Sequence, residues 1–301
     1  MLQCEAMSIN EHPPHHVPVL LDACLELMQP QAGESYLDLT AGYGGHARAF
    51  MERTENYLDS VLVDRDDYAL AQLDDLRQKG VTLLHQDFAS ATKQLVEQGK
   101  RFDVILVDLG VSSPQLDRAE RGFSFTNNGP VDMRMDRRQE ISAASFLASV
   151  KRDELARIIR EYGEESPGTA RRYAQRIIEA RPIRDTAHLA EVVARAHVGR
   201  WQRVHPATRT FQAIRIHIND ELGQVRHMLQ SLPRLLTKGG RVGVISFHSL
   251  EDRLVKRFFQ EQAQAGYEAE LTVLTKKPIS GLQDDSNPRS RSAKLRVAVK
   301  K

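Results

Sequence analysis

Cysteines are scarce in this sequence, and long apolar runs are absent. Only Cys4 and Cys24 occur among the 301 residues, and neither has a partner at the spacing of a disulfide framework or a metal site. A reducing compartment, the cytoplasm, is therefore expected. No run of about 18 apolar residues exists, and no Lys or Arg precedes Arg48, so we expect neither a membrane-spanning helix nor a signal peptide.

The opening residues, 1–16, are polar and contain two prolines and three histidines. We interpret this segment as a loose arm, within which Met7 could be the true start. The histidines at 12, 15 and 16 have no acids or cysteines spaced to join them as ligands, so no metal site is predicted.

The charge is balanced over the whole chain but not within it. Lys and Arg number 42 against 40 Asp and Glu, a net of +2, which argues against binding nucleic acid through bulk charge. Between residues 117 and 217, however, 19 basic residues face 13 acidic ones, a net of +6, and 18 of the 19 are arginine. The remainder carries −4. Because arginine suits bidentate phosphate contacts and stacking on bases, this block is predicted to meet nucleic acid.

The alternative is that these arginines pair with the acids of their own block. That reading is plausible from Arg152 to Glu165 but fits poorly from 171 to 217, where ten arginines face three acids. A second basic stretch begins at Arg289, with no acid after Asp285. The charge thus divides into an acidic remainder at −4 and an arginine-rich block at +6, which we interpret as two surfaces with different ligands.

Short β-branched runs alternate with helical patterns from Ser35 onward, which is typical of a parallel sheet covered by helices. The pattern from Ser142 to about His197 is helical instead. We predict an α/β fold, a doubly wound Rossmann-like sheet built from residues 1–116 and 218–301, with an inserted helical domain at 117–217. The predicted strands are Ser35–Thr40, Ser60–Val63, Val81–Leu84, Phe102–Val107, Gly240–Phe247 and Glu268–Thr275.

The segment from Asp38 to His46 closes the first strand and opens a helix through a glycine-rich turn. Glycines let the backbone turn sharply and approach a ligand, and the N–H groups at the helix start can hold a polar group. Any tight turn between a strand and a helix could also use glycine, so the turn alone is weak evidence.

Acidic residues at the ends of the next strands strengthen the case for a cofactor. Asp64 lies about 20 residues beyond the glycines, where an acid accepts hydrogen bonds from ribose hydroxyls. Asp87 and Phe88 offer an acid and a ring suited to adenine, and Asp108 ends the fourth strand. The sequence lacks a phosphate-binding loop of the nucleoside triphosphatase type. The loose glycine pattern and the acidic strand ends favour S-adenosylmethionine over a nicotinamide cofactor.

Long segments of the chain closely resemble the bacterial ribosomal RNA small subunit methyltransferase H family, also called MraW. The resemblance covers nearly the whole chain. The matching segments are 16–21, 44–46, 108–117, 121–125, 132–136, 162–165, 205–216, 246–253 and 287–292.

The resemblance implies a class I methyltransferase sheet that uses S-adenosylmethionine to methylate the N4 amine of a cytidine in the decoding region of 16S rRNA. The assembled small ribosomal subunit is the expected substrate, no membrane partner is expected, and a homodimer is left open. By position, the implied cofactor contacts are Gly44, Gly45, His46, Asp64, Phe88, Asp108 and Gln115.

Four residues are predicted to contact RNA: Arg134, His205, Arg209 and His248. His205 and Arg209 belong to a basic stretch that also contains Trp201 and Phe211, and such a mixture can stack on bases and hold phosphate. Phe211 could equally be a core residue. His248 is expected to face the target base.

The chemistry predicts a hydrogen-bond acceptor for the amine protons. Cytosine N4 is a poor nucleophile because its lone pair is delocalised into the ring, and an acceptor restores electron density and receives the proton. Asp108 is our candidate for this catalytic role, and backbone carbonyls of residues 109–113 are the alternative. Methylation at a ring carbon would need a cysteine adduct, and neither cysteine follows a strand.

Two local features lead to further expectations. Residues 166–169 depart from the family pattern, and Pro167 with Gly168 should break the helix there. Ser249 is predicted to cap the helix after the strand at 240–247, with Asp252 completing the capping box.

Other functions compete with methyl transfer. A non-catalytic RNA-binding assembly factor that retains the cofactor fold is the main alternative, and the intact acids at the strand ends argue against it. A nicotinamide-linked oxidoreductase is the weaker one.

Overall fold

A computed structural model describes residues 18–199, 204–284 and 287–301 of the chain. The arm predicted at 1–16, Met7, Cys4 and Trp201 lie outside the described residues. Strands β1 to β8 form one sheet in the order β3-β2-β1-β4-β5-β8-β6, and β7 pairs with β8. Their bounds are β1 Tyr36–Asp38, β2 Val61–Asp64, β3 Thr82–His85, β4 Phe102–Asp108, β5 Leu236–Ser246, β6 Leu271–Val273, β7 Ile279–Ser280 and β8 Lys294–Lys300.

The first five strands are parallel, and β8 runs antiparallel to β5, β6 and β7. This order confirms the predicted doubly wound sheet, since the chain winds outward in both directions from β1 and β4. Four predicted strands match β1 to β4 within two residues, because short apolar runs between turns and helices are a local signal. The strand predicted from Gly240 begins earlier, at Leu236.

Thirteen α-helices occur in the described residues. Those of the first half are α1 Leu21–Met28, α2 Gly45–Thr54, α3 Asp67–Ala71, α4 Asp74–Gln78, α5 Phe88–Glu97, α6 Ser113–Asp117 and α7 Ala143–Ser149. Those of the second half are α8 Arg152–Tyr162, α9 Pro167–Glu179, α10 Thr186–Ala196, α11 Ala207–Ile218, α12 Glu221–Leu235 and α13 Ser249–Gln264. None of them is long and apolar enough to cross a membrane.

Each face of the sheet has its own apolar core. Leu37 and Ile105 pack on one face with Leu232 of α12, while their neighbours Tyr36 and Leu106 pack on the other face with residues of α1 and α2. Successive side chains of a strand point to opposite faces, so both faces of β1 and β4 are buried under helices. This arrangement leaves the carboxyl edge of the strands as the place for polar groups.

Helices α7 to α11, which together form the helical block, have a separate core, to which Leu155, Tyr173, Ile177 and Phe211 contribute. The apolar residues of α8 and α9 recur at helical spacing on the faces that meet each other. The boundaries at 116/117 and 217/218 stay a prediction.

The expected helix break at 166–169 is wrong in its location. Ser166 is the N-cap of α9, its side chain accepts a hydrogen bond from the Thr169 N–H at 3.2 Å, and Pro167 is the first helical residue. Proline suits that position because it lacks an N–H that would have no helical partner there. These residues therefore start a helix.

The C-terminal basic stretch contains a strand. Leu295 and Val297 of β8 are buried, while Lys294 and Arg296 both pair with Asp252, at 3.0 and 2.9 Å. Lys300 pairs with Glu270 at 2.7 Å. Acids from distant parts of the chain therefore neutralise these three cations of the second basic stretch.

Candidate functional site

The glycine turn lies at the carboxyl edge of the sheet, between β1 and α2. Gly44 has φ +79°, a conformation that side chains disfavour, and a Cβ there would lie 2.5 Å from Cδ2 of Leu73. A Cβ on Gly45 would lie 2.6 Å from Cγ of Pro18. Leu73 and Pro18 therefore pack closely against the turn, and the positive φ of residue 44 requires glycine there.

Asp64 ties this turn to the end of β2. Its carboxylate accepts hydrogen bonds from the Gly42 N–H at 2.7 Å and from the Asp66 N–H at 2.8 Å. Burial raises the pKa of Asp64 above its ordinary value, although these two hydrogen bonds oppose the shift. Each carboxylate oxygen keeps a further lone pair, so Asp64 can still accept hydrogen bonds from a ribose.

Asp38, at the end of β1, lies at the same edge, although it was not among the predicted cofactor contacts. Its carboxylate accepts hydrogen bonds from the Tyr36 hydroxyl at 2.9 Å and the Thr40 N–H at 3.0 Å. Burial raises the pKa of Asp38 to about 6. A signal existed, since Asp38 ends a strand as Asp64 and Asp108 do.

Of the carboxyl groups at this edge, that of Asp108 accepts the fewest hydrogen bonds within the described residues. Its Oδ1 is buried and accepts no hydrogen bond from any described residue. Its Oδ2 lies 3.8 Å from Nδ1 of His46, whose Nε2 lies 3.0 Å from the Val19 carbonyl oxygen. Burial raises the pKa of Asp108 well above its ordinary value, and the nearby carboxylates Asp38 and Glu251 add to the shift. An acceptor left unpaired in this way costs free energy unless a ligand satisfies it.

The side chains of Phe88 and Gln115 contact other residues of the protein. Phe88 is buried, and the guanidinium carbon of Arg65 lies 5.6 Å from the centre of its ring. The Gln115 side chain donates to Asp66 at 2.8 Å and accepts from the Ser112 N–H at 3.1 Å. Cofactor contact by these two residues stays a prediction.

His248 caps α13, so the expectation that Ser249 does so is wrong. The His248 ring accepts from the Glu251 N–H at 3.4 Å, and the Glu251 carboxylate accepts from the N–H groups of His248 and Phe247 at 3.2 and 2.9 Å. The Ser249 hydroxyl instead donates a hydrogen bond to the Glu164 carboxylate. The cap falls one residue earlier than expected, because Glu251, not Asp252, completes the capping box.

Glu221, His248 and Glu251 bring three potential metal ligands within 4.8 Å of one another. Protein groups already engage both carboxylates, since Arg215 donates to the two oxygens of Glu221 at 2.8 Å each and two backbone N–H groups bind Glu251. The expectation that the protein binds no metal stays a prediction.

The other residues predicted to contact RNA lie on the helical block or on the segment leading into it. Arg134 donates to the Asp132 carboxylate at 2.6 Å, and His205 packs against Phe125 with their ring centres 4.9 Å apart. Arg209 is exposed, and its nearest acid is Glu165 at 3.7 Å. RNA contact by these residues stays a prediction. The side chain of Arg209 is more exposed than that of Arg134.

The arginines between 171 and 217 find more partners than the sequence count suggested. Arg176 and Arg195 pair with Glu179 and Glu191 of their own helices. Others donate to backbone carbonyls, as Arg172 does to Ala196 at 2.7 Å. Fewer of these arginines are therefore free than a ratio of ten arginines to three acids indicates, because backbone carbonyl oxygens and acids outside the stretch also accept hydrogen bonds or form ion pairs.

Three carboxyl groups, Asp38, Asp64 and Asp108, thus meet at one edge beside a glycine turn. None of them pairs with a Lys or Arg of the described residues, and the pKa of each is raised. Such an edge favours a ligand that carries positive charge, as the sulfonium and ammonium groups of S-adenosylmethionine do.

Comparison with known proteins shows the family of the chain. Residues 13–301 match the model of the MraW methylase family. The chain is similar to the ribosomal RNA small subunit methyltransferase H of Synechocystis, 43% identical over 298 residues, which span 95% of this chain and 93% of that protein. The protein of the same name from Cyanothece is 46% identical over 289 residues, 94% of each chain.

Among solved structures, an rRNA methylase from Streptococcus thermophilus aligns with a TM-score of 0.40 and 10% identity, over 93% of each chain. So loose a match bears on neither the site nor the substrate. The match to the family model and the relatives at 43% and 46% identity are sufficient to show the family. The chain belongs to the MraW methylase family, and its cofactor is S-adenosylmethionine.

Proposed function

We propose that this protein methylates the N4 amine of a cytidine in the decoding region of 16S rRNA. The names of the relatives support a ribosomal RNA of the small subunit as substrate. The observation that carries the N4 assignment is the unpaired Oδ1 of Asp108 at the carboxyl edge of β4. An amine that must lose a proton needs an acceptor of this kind.

When bound, S-adenosylmethionine supplies an electrophilic methyl group on a sulfonium. The protein has to hold the target amine in line with that methyl group and exclude water. Asp108 accepts a hydrogen bond from the amine, which returns electron density to N4, and then takes the proton. Its raised pKa makes it a stronger base than an exposed aspartate.

The alternative of methylation at a ring carbon lacks a nucleophile in the described residues. Cys24 lies on α1, is fully buried, and burial raises the pKa of its thiol well above the ordinary value. A thiol in that state is a poor nucleophile. The state of this cysteine therefore favours methylation of an exocyclic nitrogen over methylation of a ring carbon.

Mass spectrometry of nucleosides from 16S rRNA tests the proposal. RNA from cells that lack the gene should contain no N4-methylcytidine at the decoding region, and the wild-type gene should restore it while the Asp108→Asn gene should not. An unchanged N4-methylcytidine signal in the deletion strain would refute the substrate assignment.

We further propose that the substrate is the assembled small subunit in the cytoplasm. Purified protein should methylate small subunits faster than naked 16S rRNA, because the subunit fixes the shape of the decoding region. Equal rates on the two substrates would contradict this part.

A further inference from the structure

A cavity of about 320 Å³ lies next to the end of β2, between α3 and the segment 118–137 that leads into the helical block. This volume matches a small ligand or a single nucleotide. The side chains that line it include Asp67 and Tyr68 of α3 and Arg118, Glu120 and Arg137 of the facing segment.

Arginines of this segment differ in their partners. Five arginines occur between 118 and 138, and three of them pair with an aspartate. Arg118 and Arg137, which both line the cavity, form no ion pair with any acid of the described residues. The paired ones are Arg121 with Asp66 at 2.6 Å, Arg134 with Asp132 at 2.6 Å and Arg138 with Asp136 at 2.7 Å.

The cavity also contains a stacked pair. The guanidinium carbon of Arg118 lies 3.6 Å from the centre of the Tyr68 ring, and Tyr68 is 40% exposed. The ring of Tyr43 lies 5.9 Å from that of Tyr68. Flat guanidinium and aromatic groups at this spacing are the surfaces on which RNA bases stack.

Asp67 and Glu120 restrict the ligand that fits. They line the same cavity and form no ion pair within the described residues, so a bare anion would meet two carboxylates as well as two arginines. A ribonucleotide satisfies both kinds of group, because its phosphate accepts from arginine while its hydroxyl and amino groups donate to carboxylates.

We propose that this cavity holds one nucleotide of the substrate RNA outside the target cytidine, with its phosphate on Arg118 or Arg137 and its base on the Tyr68–Arg118 stack. This inference rests on the proposed function, since it takes RNA as the substrate. It adds a subsite that positions the RNA beside the cofactor edge.

Binding of a fluorescein-labelled RNA fragment of the decoding region, measured by anisotropy at several salt concentrations, tests the subsite. Arg118→Gln and Arg137→Gln should each weaken binding about tenfold and reduce the slope of log affinity against log salt by about 0.7 to 1. Tyr68→Leu should weaken binding, whereas Tyr68→Phe should not, because phenylalanine keeps the ring.

Arg152→Gln is the matched control. Arg152 is 55% exposed and pairs with Asp153 on α8, away from the cavity. This variant should bind RNA within twofold of wild type with an unchanged salt slope. Calorimetry should give wild-type S-adenosylmethionine affinity for all five variants.

Two results would overturn the subsite. Arg118→Gln and Arg137→Gln could match Arg152→Gln in RNA affinity, which would make the cavity an ordinary solvated surface. A parallel loss of S-adenosylmethionine affinity would instead assign the cavity to the cofactor. The readout needs no methyl transfer, so a wild-type protein that methylates a different atom would contradict the proposed function without affecting this comparison.

Discussion

The Arg121 guanidinium donates a hydrogen bond to the Asp66 carboxylate at 2.6 Å, and the two side chains are only 5% and 4% exposed. Asp66 follows β2 at the cofactor edge, whereas Arg121 belongs to the segment that enters the helical block. Arg121 also donates to the carbonyl oxygens of Arg134 and Met135, at 3.2 and 3.0 Å. The pair therefore fixes the start of the helical block against the sheet.

Removal of one partner of this pair should destabilise the fold strongly. Arg121→Met leaves the Asp66 charge buried without a cation, which is expected to lower the free energy of unfolding by about 3–5 kcal/mol. Urea denaturation measures the loss. Arg138→Met is the control, because Arg138 is 58% exposed in its pair with Asp136 and an exposed pair contributes about 0–1 kcal/mol. Equal losses in the two variants would contradict the prediction.

A side chain at Gly44 should damage cofactor binding. Gly44→Ala forces a non-glycine residue to φ +79° and places its Cβ against buried Leu73, so the turn has to shift. Gly99→Ala is the matched control, because Gly99 has φ +67° and open space around it. We expect a similar conformational cost of about 1–2 kcal/mol in both variants and a loss of S-adenosylmethionine affinity, measured by calorimetry, in Gly44→Ala alone. Wild-type affinity in Gly44→Ala would show that the turn does not hold the cofactor.

Cofactor affinity should fall in acid. In the free protein, burial raises the pKa of Asp38 to about 6, and a bound cation favours the ionised carboxylate and lowers that pKa. S-adenosylmethionine should thus bind with release of a proton below this pKa, and its affinity should drop by up to about tenfold per pH unit for each proton released. Calorimetry between pH values on either side of the Asp38 pKa measures the trend, and a constant affinity would contradict it.

The same raised pKa acts in the opposite direction on the stability of the free protein. The folded state binds the Asp38 proton more tightly than the unfolded state does, so this stabilising contribution is present in acid and is lost as the pH rises through about 6. Asp38→Asn should remove this contribution and weaken the pH dependence of cofactor affinity.

Asp108→Asn should separate catalysis from cofactor binding. The amide keeps an acceptor oxygen but cannot take a proton, so kcat should fall about 100- to 10,000-fold. Stability should not fall, because the change removes repulsion from Asp38 and Glu251. S-adenosylmethionine affinity within a few-fold of wild type would support the catalytic role, and affinity lost along with turnover would reassign Asp108 to the cofactor.

Strands β1 to β4 and the glycine turn were predictable from the sequence, because each depends on neighbouring residues. Apolar residues recur at helical spacing from Ala69 to Leu76, yet the structure divides this stretch into two short helices, α3 and α4. Strand β8 was missed because residues 289–301 were interpreted only by their charge, although the alternation of Lys294, Leu295, Arg296 and Val297 is typical of a strand. The Asp66–Arg121 pair, by contrast, joins residues that no local pattern relates.

The sequence by itself determined the strand-helix alternation, the glycine turn, the acids at the strand ends and the family. Only the tertiary structure decided which charges are free. Arg134 and Arg137 look alike in the sequence, yet Arg134 pairs with Asp132 while Arg137 lines a cavity. The physical reason is that an ion pair depends on distance in space, so a count of acids and bases along the chain cannot show which arginines stay available to RNA.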